Sequence, residues 1–339
     1  RIFSLISETA DELGLECYVV GGYVRDDILG IPNKDIDIEI HNIEPNVLEN
    51  ILKQFGNIEK RTVGNNFGIY NINRFNLDIS LPRKETAIGK GHKDFDIIVD
   101  PYLSLKESAK RRDFTINALM KNILTGEIID YYGGLDDLKK GIIRHIDDNT
   151  FAEDPLRVLR ACQFAARFDF DIATETIELC KNMDISTLPK ERVAGELTKA
   201  LIKGNKPSIF FNSLYEMKQT EWFKEVFDLK DVKQDTVYHP EGDVYEHTMS
   251  VIDEASTLFP TGIDNPDRYL PFMLSALCHD FGKLNTTKIN NKGRICAINH
   301  EKTGIPLAND FLDRIYNNKG FTRYVDNMIE FHMKAHSCF

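Results

Sequence analysis

The stretch YVVGGYVRDDILGIPNKDIDIEI, residues 18–40, decides the predicted fold of the first part of the chain. Its pattern indicates a short β-branched strand, a break at Gly21-Gly22, a short helix and a turn at Pro32. Acidic and apolar residues then alternate strictly. Because a strand points successive side chains to opposite faces, each class occupies one face. The isoleucines of DIDIEI are predicted to face the core, and the opposite face carries Asp35, Asp37 and Glu39.

The crowding of carboxylates on one strand face has two interpretations. Like charges on one face repel each other without evident benefit to the fold, so a solvated edge strand is the simpler interpretation. The second starts from the glycine turn and Arg25 just upstream. Glycines let backbone N–H groups approach a phosphate, and a helix start favours an anion. Two carboxylates holding Mg²⁺ beside a triphosphate are the outline of a nucleotidyl-transfer site.

Composition narrows the class of protein. A length of 339 residues favours two or three domains. We expect neither a membrane span nor a signal peptide, because no apolar run approaches ~18 residues. A net charge of -11 disfavours a nonspecific nucleic-acid coat but allows a local basic groove. Six cysteines without a CxxC pair predict buried free thiols in a reducing cytoplasm. The first and last residues, Arg1 and Phe339, lead us to expect that both true ends are missing.

Strands and helices mix irregularly in the first part of the chain, which favours an α+β fold. Amphipathic helices are predicted at residues 1–16 and Glu44–Phe55, and strands at Ile58–Val63, Phe67–Ile72, Asn76–Ser80 and Ile128–Asp130. The basic, glycine-punctuated segment Pro82–Phe95 is predicted to be a loop. After Phe151 the pattern is almost entirely helical, and a boundary is predicted in DTVYHPEG, at Asp235–Gly242.

A third carboxylate is a candidate for the acidic cluster. In NLDIS, Asp78 shares a strand face with Asn76 and Ser80, and it would join Asp35 and Asp37 if the two strands are neighbours. A polar residue at a strand end is an equally good interpretation.

The segment EDPLRVLRACQFAARF begins at Glu153 and offers a way to read a base. Pro155 suits the first turn of a helix, and Asp154 and Arg157 are three residues apart at its start. An ordinary cap with an intrahelical ion pair is one interpretation. The other is recognition: a fixed acceptor and donor match cytosine and adenine, whereas uracil and guanine present the opposite polarity and would leave buried polar groups unpaired.

Six motifs in order resemble those of class II tRNA nucleotidyltransferases, the CCA-adding enzymes, which share a polymerase-β-like head with bacterial poly(A) polymerases. They are GGYVRD, the DID of KDIDIEI, RRDFTINA, YYGGLDDL, EDPLRVLR and ERVAGEL, within roughly residues 18–200. The resemblance implies a head at 1–142, a helical neck and body at 143–235 that reads the base and binds RNA, and a helical HD-type domain at 236–339.

The resemblance also implies roles. Asp35 and Asp37 would bind two Mg²⁺ ions. The triphosphate would lie against Gly21, Gly22 and Arg25. The ribose and phosphates would be positioned by Arg112, Asp113 and Asn117. The base would be read by Asp154 and Arg157, supported by Arg160, on a helix braced by Glu191 and Arg192. YYGGLDDL would be a flexing joint, and Pro82–Phe95 the family's mobile loop.

The implied reaction is attack of the 3′ hydroxyl of tRNA on the α-phosphate of CTP or ATP, with release of pyrophosphate. Poly(A) polymerase and a split enzyme that adds only CC or only A stay open as alternatives. Protein partners stay open as well.

Most of the nine histidines follow residue 238, although a lone helical histidine is usually structural or on the surface. Their order resembles that of HD-domain metal phosphohydrolases. His247, His279, Asp280 and His300 would then bind a transition metal or Mg²⁺. Asp326 is a weak candidate for the final ligand, and His332 and His336 lie four residues apart. A phosphohydrolase whose head is only a binding module is therefore a further alternative.

Overall fold

A computed structural model describes residues 2–55, 58–63, 66–72, 77–87, 95–258 and 268–337. The chain divides into two compact units, Arg1–Asp154 and Pro155–Phe339. Strands and short helices alternate in the first unit and helices dominate the second, so the predicted α+β class is confirmed. The finer division at residues 142 and 235 stays a prediction.

The first unit contains ten strands and six α-helices among its described residues. The strands are β1 Glu16–Val20, β2 Ile36–His41, β3 Glu59–Val63, β4 Asn66–Ile72, β5 Leu77–Ser80, β6 Arg83–Ala87, β7 Phe95–Val99, β8 Met120–Asn122, β9 Ile128–Ile129 and β10 Ile142–Ile143. The helices are α1 Ile2–Leu13, α2 Gly22–Ile28, α3 Pro45–Leu52, α4 Leu105–Lys110, α5 Gly134–Lys140 and α6 Asp148–Ala152.

The main sheet of the first unit has the order β3-β4-β5-β2-β1-β8-β9. β2 runs antiparallel to β1 and parallel to β5, so it lies in the middle of the sheet. The solvated edge strand considered for DIDIEI is therefore excluded. Asp35 lies just before the strand, in the turn, where its backbone N–H donates to Asn33 Oδ1 at 2.9 Å.

The alternation in β2 sorts its side chains as predicted. Ile38 and Ile40 are buried in a cluster with residues of α1, α3, β4 and β5. The opposite face of the sheet is covered by a smaller cluster that includes Tyr18, Val20 and Ala109. The polar face of β2 is only partly covered, because Glu39 and His41 are buried whereas Asp37 is exposed.

Most predicted elements of the first unit are confirmed to within one or two residues, but the loop at Pro82–Phe95 is wrong in part. Its first half is β6, which pairs antiparallel with β7, a strand that begins at Phe95. Residues 88–94 and Asn76 lie outside the described residues. In YYGGLDDL the predicted turn and short helix are present: Gly133 has a left-handed backbone, with φ of +78°, and α5 follows.

The second unit consists mainly of helices that pack around aromatic residues. The helices are α7 Leu156–Phe168, α8 Thr174–Lys181, α9 Lys190–Lys203, α10 Ser208–Glu216, α11 Lys224–Phe227, α12 Val244–Thr257, α13 Leu270–Cys278, α14 Lys283–Thr286, α15 His300–Ile315 and α16 Lys319–Phe331. Where this unit is described, three short strands interrupt the helices: β11 Asp171–Ile172, β12 Thr287–Ile289 and β13 Ile295–Ala297. The last two pair as a hairpin that the sequence pattern did not predict.

Among the helices in the described part of the chain, none combines the length and apolar character that a membrane crossing requires.

Replacing Ile38 by Ala should lower the free energy of unfolding by about 2–5 kcal/mol, because Ile38 is fully buried in the core on the apolar face of β2. Ile98→Ala is the matched control, since Ile98 is 51% exposed. Urea unfolding followed by circular dichroism measures both. Equal, small losses in the two variants would contradict the central position of β2.

Candidate active site

The sheet brings two of the predicted carboxylates together at its centre. Asp37 on β2 is the register partner of Asp78 on β5, and Asp35 lies two residues before Asp37. Asp78 accepts a hydrogen bond from the Asn71 side-chain amide, at 2.5 Å. The third carboxylate, Asp78, was predicted to join the cluster if its strand lies beside that of Asp37, and the pairing of β5 with β2 meets this condition.

The charge on these carboxylates is only partly balanced. Surrounding protein restricts hydration of the Asp37 carboxylate and thereby raises its pKa, although solvent still reaches the side chain. Arg112 opposes this rise, whereas Asp78 and Asp35 add to it. Oxygen donors that repel one another in this way suit a hard divalent cation such as Mg²⁺.

The glycine turn between β1 and α2 is shaped by close contacts with arginines. Gly21 has φ of +71°, a conformation that side chains with a Cβ rarely adopt, and its N–H donates to Leu119 O at 3.3 Å. A Cβ at Gly21 would lie 3.0 Å from Arg112 Nη1, and one at Gly22 would lie 3.3 Å from Arg25 Nη2. The guanidinium groups of Arg112 and Arg25 therefore lie close to the backbone of the two glycines.

Arg25 joins the glycine turn to the RRDFTINA motif. It is only 3% exposed, and it donates from Nε to Asp26 at 2.8 Å and from Nη1 to Asn117 Oδ1 at 2.5 Å. Asn117 in turn donates to Asp113 Oδ1 at 2.9 Å. The structure therefore brings Arg25, Asp113 and Asn117 together, and Arg25 is largely engaged within the protein.

Glu39 is a residue of this region to which the sequence assigned no role. Its side chain is fully buried and accepts hydrogen bonds from Ser108 Oγ at 2.6 Å and Arg111 Nη2 at 3.1 Å. His41 Nε2 lies 2.9 Å from the same carboxylate. Burial alone would raise the pKa of Glu39, but His41 and the arginines outweigh it and hold the pKa far below its usual range.

The predicted base-reading residues lie around the start of α7. Asp154 ends the first unit, and Arg157 lies in the first turn of α7. Arg160 follows one turn later, with its guanidinium 5.2 Å from the centre of the Phe164 ring. α9, which carries ERVAGEL, packs against α7, consistent with the predicted bracing.

A second cluster lies within the second unit and is centred on Asp280, which is 2% exposed. His279 Nε2 and His247 Nε2 lie 3.2 and 3.6 Å from Asp280 Oδ2. His300 Nε2 and His332 Nε2 lie 3.3 and 3.9 Å from Oδ1. The four predicted residues therefore converge, and His332 joins them.

The four histidines share a feature: each Nδ1 lies within hydrogen-bond distance of an acceptor. The acceptors are the carbonyl oxygens of Ala276, Ala297 and Ile329 for His279, His300 and His332, and the carboxylate of Glu241 for His247. A carbonyl oxygen or an ionised carboxylate can only accept, so Nδ1 carries a proton in each ring and Nε2 is the nitrogen that faces Asp280. Metal-bound histidines have this arrangement.

The contacts between the Nε2 atoms strengthen this interpretation. His300 and His332 approach to 3.1 Å, and His247 and His279 to 3.4 Å. Two lone pairs at such distances repel unless a shared proton or a cation lies with them. Burial alone would raise the pKa of Asp280, but His279 and Lys283 outweigh it and hold the pKa well below its usual range.

The packing around Asp280 explains how the cluster forms. A Cβ at Gly282 would lie 2.0 Å from His300 O and 2.6 Å from Gly304 N, so only glycine lets α15 approach this closely. Lys283 Nζ lies 2.8 Å from Asp280 Oδ2 and donates to Gln234 Oε1 at 2.7 Å. The cluster borders a cavity of about 700 Å³.

One expectation about this region changes. Asp326 was the weak candidate for the final ligand, but it is not among the described groups that could hold a metal ion, and His332 is. The segment DTVYHPEG lines the cavity with His239 and Glu241, and the boundary predicted there stays a prediction. The side chain of His336 lies outside the described residues. The head carboxylates form no described group of three or more ligand atoms within 4.8 Å.

Comparisons with known proteins agree with the motifs. A family model described as the poly A polymerase head domain matches residues 17–144. The multifunctional CCA protein of Pasteurella multocida (strain Pm70) is 34% identical over 96% of this chain and 76% of its own length. That of Nitrosomonas eutropha (strain DSM 101675 / C91 / Nm57) is 38% identical over 89% of this chain and 69% of its own length.

Solved structures show the same fold. A CCA-adding enzyme in its apo form II has a TM-score of 0.64 at 22% identity, covering 99% of this chain and 82% of its own. The Thermotoga maritima CCA-adding enzyme complexed with tRNA has a TM-score of 0.60 at 21% identity, covering 99% of this chain and 81% of its own.

The histidine cluster should bind one transition-metal ion. Titration of the metal-free protein with Co²⁺ should give a visible d–d absorption band, since imidazole ligands suit this metal. His279→Ala/Asp280→Ala should abolish the band. Asp37→Asn, which changes the first unit only, should keep it, and a band of equal strength in the double variant would contradict the assignment.

Proposed function

The chain belongs to the family of the multifunctional CCA proteins, and on that premise we propose that it adds C, C and A to the 3′ end of tRNA. It uses CTP and ATP without a nucleic-acid template and releases pyrophosphate. The observation that carries the proposal is the pairing of Asp37 with Asp78 at the sheet centre, since neighbouring strands hold the two carboxylates in register.

We assign the metal site of the head to Asp35 and Asp37, with Asp78 beside them. The mutual repulsion of these carboxylates and their all-oxygen donor set fit two Mg²⁺ ions. When bound, such ions stabilise the attacking and leaving oxygens of an in-line displacement. Asp78 holds its orientation through Asn71, which keeps one carboxylate oxygen engaged.

The triphosphate is proposed to lie against Gly21, Gly22 and Arg112. The glycines leave room for phosphate oxygens near the backbone, and Arg112 brings positive charge to the same place. Arg25 is proposed to act mainly by fixing Asn117 and, through it, Asp113, the residues assigned to the ribose. A sugar held in this way places the α-phosphate for attack.

Base selection is proposed for Asp154 and Arg157, with Arg160 in support. The carboxylate accepts from the exocyclic amino group of cytosine or adenine, and the guanidinium donates to the adjacent ring nitrogen. Uracil and guanine would present an acceptor to Asp154 and a donor to Arg157. Both side chains would then lack a hydrogen-bond partner.

The fold and family disfavour a head that is only a binding module, because the carboxylate pair is intact. A second activity of the same chain is supported by a specific observation, the four Nε2 atoms directed at Asp280. We propose an HD-type metal-dependent phosphohydrolase there. The free cysteines of the described chain fit the reducing cytoplasm, where tRNA is found.

Purified protein, given tRNA that lacks its 3′ CCA, should incorporate C, C and then A, and stop. Sequencing of the extended tRNA measures this. Long A tails would indicate poly(A) polymerase, and CC alone or A alone would indicate a split enzyme.

Asp37→Asn should reduce incorporation by about a hundredfold or more, because a ligand charge at the reacting centre is lost. Asp27→Asn is the matched control, as Asp27 is a surface residue of the same unit paired with Lys121. Full activity of the Asp37 variant would contradict the metal assignment.

A further inference from the structure

Glu39 is a carboxylate that the proposed chemistry leaves without a role. It lies two residues beyond Asp37 on the same face of β2 and is completely buried. Burying a carboxylate is unfavourable unless charged and polar partners compensate for the lost hydration. A residue that only filled space here would be apolar, as Ile38 and Ile40 are on the opposite face.

The partners of Glu39 come from α4, from the start of the RRDFTINA motif and from the end of β2. Ser108, near the end of α4, donates to Oε1, and Arg111 donates to Oε2 at 3.1 Å. The guanidinium of Arg112 lies 3.9 Å from Oε2. His41 closes the set from the end of β2. One carboxylate therefore meets both arginines that open the RRDFTINA motif.

Arg112 extends from this carboxylate to the glycine turn. Its Nη2 is the atom near Glu39, whereas its Nη1 would be 3.0 Å from a Cβ at Gly21. Its Nε is buried and makes no hydrogen bond to the described residues. Arg111 repels the Arg112 guanidinium, whereas Glu39, Asp37 and Asp113 attract it. The buried Nε–H of Arg112, which has no hydrogen-bond partner among the described residues, indicates a place for an anion.

We propose that Glu39 is a positioning residue of the nucleotide site: it holds Arg111 and Arg112 together and fixes Arg112 against the glycine turn, where the triphosphate is bound. The proposal rests on the proposed function. Glu39 does not touch the nucleotide. Without its charge, the two arginines would separate, and their long side chains would regain the rotamer freedom that the ion pair removes. The triphosphate would then bind to a site that must first be ordered.

Glu39→Gln tests this, since it keeps the shape and removes the charge. We expect the KM for CTP and for ATP to rise about tenfold or more, as for the loss of a hydrogen bond to a charged group. The KM for tRNA should stay unchanged, and kcat should fall less than KM rises. Asp253→Asn is the control, since Asp253 is a partly buried carboxylate bonded to Ser208 in the second unit.

A double-mutant cycle separates positioning from simple stability. Arg112→Lys and Glu39→Gln should not add: the double variant should have a nucleotide KM within about threefold of the worse single variant. If Glu39→Gln does not fold, Glu39→Asp keeps the charge but shortens its reach, and an intermediate rise in KM is expected. Additive effects, or a lower melting temperature with an unchanged nucleotide KM, would overturn the proposal.

Direct binding keeps this test independent of the proposed reaction. Calorimetric titration with CTP, without tRNA, should give a Kd about tenfold higher for Glu39→Gln than for the wild type. If the wild-type protein binds CTP but fails to extend tRNA, the proposed function is wrong while Glu39 can still be judged by this Kd. Equal values of Kd in the two proteins would exclude the positioning role.

Discussion

The two-residue period of strand β2 is the constraint on which the first unit depends. One face of the strand, with Ile38 and Ile40, belongs to the core, and the other carries Asp37, Glu39 and His41. A shift of one residue in its pairing would bury the site and expose the core. Register with β1 on one side and β5 on the other prevents that shift and sets Asp37 beside Asp78. The same pairing thus stabilises the fold and places the carboxylates.

Unbalanced charge marks both candidate sites. In the head, carboxylates that repel one another lie next to arginines that also repel one another. This arrangement lowers the stability of the fold but suits the binding of a cation and a triphosphate. In the second unit, the Nε2 atoms of four histidines meet at Asp280. Buried groups of this kind are stable only when partners or ligands compensate for their charge. The proposed transfer and hydrolase activities both follow from such local imbalance.

Local patterns in the sequence predicted the secondary structure of this molecule better than its long-range contacts. The alternation in DIDIEI predicted β2 and its apolar face, because the strand period is visible in the sequence. The burial of Glu39 was missed, since it depends on Ser108 and Arg111, about seventy residues away. His247, His279 and His300 were predicted as ligands, but His332 was noted only for its spacing from His336, because nothing in the sequence shows how α16 lies against Asp280. Proline and glycine in DTVYHPEG predicted a boundary, but nothing in the spacing showed that Glu241 lies beside His247.

A crystal structure of the protein with CTP and Mn²⁺ would show whether the polar face of β2 builds the nucleotide site. Anomalous scattering locates Mn²⁺ independently of the protein atoms. We expect Mn²⁺ at Asp35 and Asp37, with the triphosphate against Gly21 and Arg112 and the Glu39 ion pairs intact. Mn²⁺ only at Asp280, or CTP bound away from the glycine turn, would contradict this expectation.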